Sequence, residues 1–121
     1  MNLVYQSSDQ ILGNIIISKI KMHPDVGLFC GGVGPLAVRP SHQFKGIGSQ
    51  LMKAAIIECS NLGVDALFVL GDPNYYKRFN FEVSKIRSDY NAKNFQELQL
   101  TGNCLNDLQA KISYTDAFST I

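Results

Sequence analysis

No C-x-x-C pair occurs in this sequence, and its three cysteines, Cys30, Cys59 and Cys104, are odd in number and far apart. A disulfide framework needs an even set and a structural zinc site needs closely spaced ligands, so neither is signalled, and a reducing cytoplasm is the expected compartment. Long apolar runs are missing as well. Stretches such as Ile15-Ile16-Ile17 fall far short of the roughly 20 residues that cross a bilayer. The first residues, Met1-Asn2-Leu3-Val4-Tyr5-Gln6, lack the basic start and apolar stretch of a secretory signal, so export is not expected. Nor is there an excess of charge of one sign: 11 basic and 10 acidic residues leave a net charge of +1. That supplies no broad field for a nucleic-acid backbone or an anionic membrane, so any phosphate recognition has to be local.

What is present is enough for one folded domain. The 121 residues, 45% of them apolar, can bury most of their hydrophobic surface behind a single core, and they are too apolar for a disordered chain. No repeat, low-complexity tract or linker interrupts them, so a single domain is expected over residues 1–121.

Residues 3–6 and 11–20 are rich in β-formers around the polar Ser7-Ser8-Asp9-Gln10, which predicts an antiparallel hairpin, with Gly13 marking a bulge or a close backbone approach. His23-Pro24-Asp25-Val26-Gly27 is a turn cluster, after which residues 28–30 suit the opening of another strand. Leu36, Ala37 and Val38 form a short apolar strand that Pro40 stops. From residue 48 to 62, Leu51, Ala55, Cys59 and Leu62, joined by Ile47, Met52 and Ile56, recur at three- and four-residue spacing, the pattern of one buried helix face. Gly63 suits the left-handed residue that ends such a helix. Ala66-Leu67-Phe68-Val69-Leu70 is apolar throughout, as a central strand covered on both faces requires, and it is expected beside Leu36, Ala37 and Val38. Pro73 opens a short helix over residues 74–79. Strands are expected over residues 81–86, 95–100 and 111–114, with a short helix over 104–108.

The order strand, glycine turn, helix, strand sets Gln43-Phe44-Lys45-Gly46-Ile47-Gly48-Ser49 across a helix N-terminus. Backbone N–H groups there have no intrahelical partner, and with the helix dipole they favour a phosphate oxygen. Gly46 and Gly48 remove side chains that would hold an anion away, Lys45 adds a positive charge and Ser49 a hydroxyl donor. Two glycines around one residue are equally a tight strand-to-helix connection. Neither a P-loop nor a dinucleotide fingerprint is present: no Lys-Ser or Lys-Thr pair follows a second glycine, and no G-x-G-x-x-G precedes the helix.

Gly34-Pro35-Leu36-Ala37-Val38-Arg39-Pro40 followed by Gln43-Phe44-Lys45-Gly46-Ile47-Gly48 resembles motif A of the GNAT acetyltransferase superfamily, whose core is Q/R-x-x-G-x-G/A. Leu70-Gly71-Asp72-Pro73-Asn74-Tyr75-Tyr76-Lys77-Arg78-Phe79-Asn80-Phe81 is similar to the L-G-D-P-x-Y-Y-x-R-F-G-F segment of a bacterial branch of it. Asn80 stands where that segment has glycine, a mild change because Asn tolerates the left-handed conformation. The resemblance runs over nearly the whole chain, to Thr115-Asp116-Ala117-Phe118, and is most specific between Gly34 and Phe81. It implies an α/β (α+β) fold: a mixed, mostly antiparallel sheet with a central splayed parallel strand pair and packing helices. The family's usual first strand and two helices, which wall the acceptor site, have no counterpart before the hairpin. The expectation is a domain shortened at its N-terminus, or one whose wall comes from a partner subunit, as in a homodimer.

The resemblance also implies a function: acetyl-CoA as acyl donor, direct transfer of the acetyl group to a primary amine of a small molecule or peptide, and no nucleic-acid or membrane partner. Backbone groups of Leu36, Ala37 and Val38 inherit contact with the pantetheine arm; Gln43, Phe44, Lys45, Gly46, Ile47, Gly48 and Ser49 inherit the pyrophosphate; Asn74 or Asp72 is placed to touch pantetheine or acceptor, and each equally suits a cap of the short helix. Tyr76 is the implied acid at the departing sulfur. A thiol of pKa about 8.5 against a phenol of about 10 makes full proton transfer uphill by roughly 2 kcal/mol, so a strong hydrogen bond is the sufficient role. The alternative for Tyr76 is packing with an exposed hydroxyl; Tyr75 reads as packing or pocket wall. No general base stands out, since His23 and His42 lie in turn-like surroundings and Glu58 on the polar side of the helix. Cys30 reads as a buried inert thiol. The alternative function is a degenerate coenzyme-A-binding or regulatory module without transfer; a purely structural or assembly domain is the third.

Overall fold

The computed structural model describes residues 1–88, 93–112 and 119–121. Strand β1 (Asn2–Ser7) turns at Ser8 and Asp9 into β2 (Gln10–Ile20), its antiparallel partner. Tyr5 faces Gly13 but Gln6 faces Ile11, so Leu12 is the extra residue of a bulge. Gly13 is also a place of close approach: a Cβ there would stand 2.9 Å from the Ala37 carbonyl oxygen. Next come a two-residue strand, β3 (Met22–His23), and the long β4 (Cys30–Val38), antiparallel to β2. Helix α1 (Ile47–Asn61) follows and ends at Gly63, whose φ of 83° is the left-handed conformation expected of it. The chain then enters β5 (Ala66–Leu70), parallel to β4.

Beyond β5, helix α2 (Pro73–Tyr76) tightens into a 3-10 turn (Lys77–Phe79) that stops at Asn80, where φ is 71°. The remaining strands are short: β6 (Glu82–Val83), β7 (Arg87–Ser88), β8 (Phe95–Gln99), β9 (Lys111–Ile112) and β10 (Ser119–Thr120). The main sheet has the order β1-β2-β4-β5-β8-β6, with β10 beside β2, and a small second sheet has the order β3-β9-β7. In the main sheet β4 and β5 are the parallel pair; the other pairings are antiparallel.

Two apolar layers sandwich the sheet. On one face Leu51, Met52, Ala55 and Cys59 of α1 pack on Ile15, Ile17, Val33, Leu67 and Val69. On the other, Ile20, Cys30, Ala66, Phe68 and Phe95 are covered by Met22, Ile86, Leu105, Ala110 and Ile112. Phe68 and Phe95 stack there with ring centroids 5.4 Å apart. Cover on both sides is why β5 tolerates no polar residue.

Several elements differ from expectation. β5 lies beside Cys30, Gly31, Gly32 and Val33, and among the described residues Leu36, Ala37 and Val38 have no partner strand on that side. The cause is that Gly31-Gly32-Val33-Gly34 belongs to the strand: a Cβ on Gly31 would meet Ile17 Cγ2 at 2.8 Å, so glycine is what lets the layers close. The 104–108 segment is a run of turns with i to i+3 bonds from Cys104 to Thr101 and from Asn106 to Asn103; the left-handed Gly102 and Asp107 break a helix there. The 81–86 strand shrinks to Glu82–Val83. The last strand is described only at Lys111–Ile112; residues 113–118, including the Thr115-Asp116-Ala117-Phe118 tail, lie outside the described residues.

Candidate active site

The site begins where two strands part. β4 and β5 pair from Cys30↔Ala66 to Val33↔Val69, after which β5 ends at Leu70 while β4 runs on to Val38 with β2 alone. Opposite Ile16 of β2, Gly34 and Pro35 together occupy one position, a bulge that turns β4 away from β5. Gly34 has a φ of 143°, a conformation that L side chains rarely adopt. Among the described residues the backbone of Leu36, Ala37 and Val38 thus presents a strand edge with no partner strand.

At the end of that edge stands the N-terminus of α1. Its N-cap is Gly46, left-handed at φ 85°, and no side chain caps the helix. The first helical hydrogen bond runs from Gln50 N–H to the Gly46 carbonyl at 3.0 Å. Among the described residues the N–H groups of Ile47, Gly48 and Ser49 therefore have no backbone acceptor, and they lie at the positive end of the helix dipole. A Cβ on Gly46 would project into open space, with nothing within 4 Å, so the loop leaves room for an anion in front of these donors. Gln43 braces the loop, its Nε2 donating to the Val38 carbonyl at 3.1 Å.

Edge, helix end and aromatic wall enclose one cleft of about 630 Å3. Of the residues singled out from the sequence, Leu36, Val38, Gln43, Phe44, Gly46, Ile47, Gly48, Ser49 and Tyr76 line it. Ala37, Lys45 and Asn74 do not. Ala37 alternates to the other side of its strand, Lys45 is exposed, and the Asn74 N–H donates to Asp72 Oδ1 at 2.9 Å as part of the α2 cap. Phe44 is fully exposed and left-handed at φ 64°.

Tyr75 and Tyr76 form the facing wall. They meet edge to face at 4.9 Å, and Tyr76 also meets Phe81 at 5.8 Å. Gly71 fits against the Tyr76 ring so closely that a Cβ would stand 2.7 Å from Cε2. Burial, and secondarily Tyr75, pushes the Tyr76 phenol above its ordinary range, so the hydroxyl keeps its proton and acts as a donor. Tyr75 brings its hydroxyl to within 3.1 Å of where a Cβ on Gly48 would lie.

Two lining residues escaped the sequence reading. His42, in its turn-like surroundings, sits on the cleft wall, with Nδ1 2.8 Å from the Ser41 hydroxyl. Arg78 lines the cleft with its guanidinium 4.9 Å from the centre of the Tyr75 ring. For Arg78 the signal was its spacing three residues after Tyr75, which one helical turn brings together. His23 lies away from the cleft in β3, and Glu58 is exposed on α1. The Cys30 thiol is buried and pushed up to about 12, chiefly by burial, which makes it a poor nucleophile. No group of three or more His, Cys, Asp or Glu able to hold a metal occurs among the described residues.

A mixed sheet forked at its parallel pair, with an uncapped helix end and a tyrosine at the fork, defines the class of N-acetyltransferase-like domains. Residues 2–83 match the acetyltransferase (GNAT) domain, and the chain belongs to that family. It is 27% identical over 115 residues to the uncharacterized N-acetyltransferase YhbS of Escherichia coli strain K12, covering 91% of this chain and 68% of that protein. The crystal structure of Escherichia coli YhbS in complex with CoA superposes with a TM-score of 0.85 at 27% identity, over 93% of this chain and 66% of that one. A GNAT family acetyltransferase from Brucella melitensis, crystallised with acetyl-CoA, gives a TM-score of 0.68 at 30% identity over 81% of this chain and 56% of its own. The chain thus spans about two thirds of YhbS or somewhat more than half of the Brucella protein.

Proposed function

We propose that this chain binds acetyl-CoA in the forked cleft and transfers the acetyl group directly to a primary amine of a small molecule or peptide. The observation that carries this reading is the meeting, in one cleft, of a strand edge without a partner strand, three helix-end N–H groups without a backbone acceptor among the described residues, and a partly buried phenol. The free N–H groups of Ile47, Gly48 and Ser49 suit a pyrophosphate, whose charge the helix dipole favours. The backbone of Leu36, Ala37 and Val38 suits the amide-bearing pantetheine arm, which pairs with a strand edge as another strand would. When bound, the coenzyme supplies an activated thioester. Tyr76 holds its proton at Oη for the departing sulfur; with its pKa raised by burial, it acts by hydrogen bonding rather than by full transfer. The relatives crystallised with CoA and acetyl-CoA support the choice of ligand. Asn74 has no part in this reading because it does not line the cleft.

We take residues 1–121 as one domain of a cytoplasmic protein, in keeping with three free thiols, and a homodimer as the assembly to test for the acceptor wall. No helix of the described residues is long and apolar enough to cross a membrane. The deciding assay is thiol release from acetyl-CoA across a panel of primary amines, with coenzyme binding measured by calorimetry on the same protein. Amine-dependent release supports the transferase. Binding without release for any amine supports the alternative, a coenzyme-binding or regulatory module, and absence of binding removes both.

A further inference from the structure

Coenzyme A carries two separate anionic groups: the pyrophosphate, and a phosphate monoester on the ribose. The N–H groups at the start of α1 reach only about one turn, so they can serve one of these, not both. The second needs its own cation. Lys45 does not line the cleft, and Arg39 is committed elsewhere, its Nε donating to the Ile11 carbonyl at 2.7 Å. His42 spends Nδ1 on Ser41. Arg78 is the permanently charged side chain on the cleft wall, and it pairs with no carboxylate among the described residues.

Its presentation is organised. The guanidinium stands 4.9 Å over the Tyr75 ring, while Tyr75 packs at 5.5 Å against Phe79 and sets its hydroxyl over Gly48. Stacking on a face fixes the guanidinium plane and leaves its N–H edge free to grip a phosphate with two parallel hydrogen bonds. Tyr75 thereby ties Arg78 to the loop at a fixed offset from the helix end. We infer that Arg78 reads the ribose phosphate and makes the cleft selective for coenzyme A over its 3′-dephospho form. This rests on the coenzyme reading proposed above.

The test is calorimetric titration of the full chain and of R78A and R78K with coenzyme A and with 3′-dephospho-coenzyme A. The wild type is expected to prefer coenzyme A by about tenfold or more, the order set by one charge-assisted phosphate contact. R78A should lose about that factor for coenzyme A and almost nothing for the dephospho form, and R78K, which keeps the charge without the planar fork, should fall between. Equal losses for both ligands in R78A, or a wild type that does not discriminate, overturns the inference while leaving the coenzyme reading intact. A wild type that binds neither ligand removes that reading and the inference with it. Unchanged binding of the dephospho form is the control that R78A still folds.

Discussion

Tyr76 has a hydroxyl that partial burial keeps protonated, so in the proposed transfer its part is to donate a hydrogen bond where charge develops on sulfur. Tyr76→Phe keeps the ring that packs on Tyr75 and Phe81 and removes only that donor. Turnover is expected to fall by about 10- to 100-fold with the coenzyme dissociation constant within about twofold of wild type; undiminished kcat would exclude Tyr76 as the donor. Gly46 has the opposite character. Its Cβ direction is open, so the harm of a side chain there comes from a φ of 85° and from what occupies the anion's place. Gly46→Glu sets a carboxylate before the free N–H groups and is expected to abolish coenzyme binding in calorimetry. Gly46→Ala adds only the left-handed strain, about 1 kcal/mol, and should bind measurably.

Between elements, the junction of β5 with α2 decides where the phenol stands. Gly71 follows Leu70 of β5, and a methyl on it would press on the Tyr76 ring at 2.7 Å, with ring atoms that cannot yield as a flexible chain end does. Gly71→Ala should therefore displace Tyr76 and lower kcat while coenzyme binding persists; wild-type kcat in that variant would show that the ring's place does not matter. Gly48→Ala is the contrasting case. Its methyl meets the Tyr75 hydroxyl at 3.1 Å, the far end of a side chain that can shift by a few tenths of an ångström, and Val38 Cγ2 at an ordinary 3.7 Å. Binding within about threefold of wild type is expected, since alanine costs little where the neighbour can give, and this agrees with a motif that accepts glycine or alanine. β4 itself does two jobs along its length. Its first half closes the core against β5 and its second half, past the Gly34-Pro35 bulge, opens the cleft.

For the molecule as a whole, apolar cover on both faces of the sheet buries two thiols, and that sets an alkaline limit. Cys30 is pushed up to about 12 and Cys59 to about 11, each mainly by burial. In the unfolded chain a thiol ionises near pH 8.5, so above that the unfolded state sheds protons that the folded state retains, and stability falls as pH rises. The full contribution is present below the unfolded pKa and is lost toward the folded one. Each thiol can remove up to about 1.4 kcal/mol per pH unit. Urea midpoints followed from pH 8 to about 11 should drop more steeply for wild type than for Cys30→Ala; parallel curves would mean that the Cys30 thiol is not shielded from water.

The helix, the buried strand and the glycine turn before the helix were legible in the sequence because each is dictated locally: the spacing of Leu51, Ala55 and Cys59, the unbroken apolar run from Ala66, and glycine at Gly46, where the backbone is left-handed. So was the first-turn proline of α2, Pro73, while the choice of Asp72 over Asn74 as its cap was not. Pairing was not legible. The sequence alone placed β5 beside Leu36, Ala37 and Val38, whereas the register set by Gly31, Gly32 and the bulge at Pro35 puts it one segment earlier. Nor did local pattern reveal His42 or Arg78, since a polar residue in a turn looks the same whether it faces water or a cleft. Residue type and spacing thus determined α1, β5 and the glycine turn between β4 and α1. Only the tertiary structure decided which strand edge stays open and which side chains surround it, because both depend on contacts between segments distant in the chain.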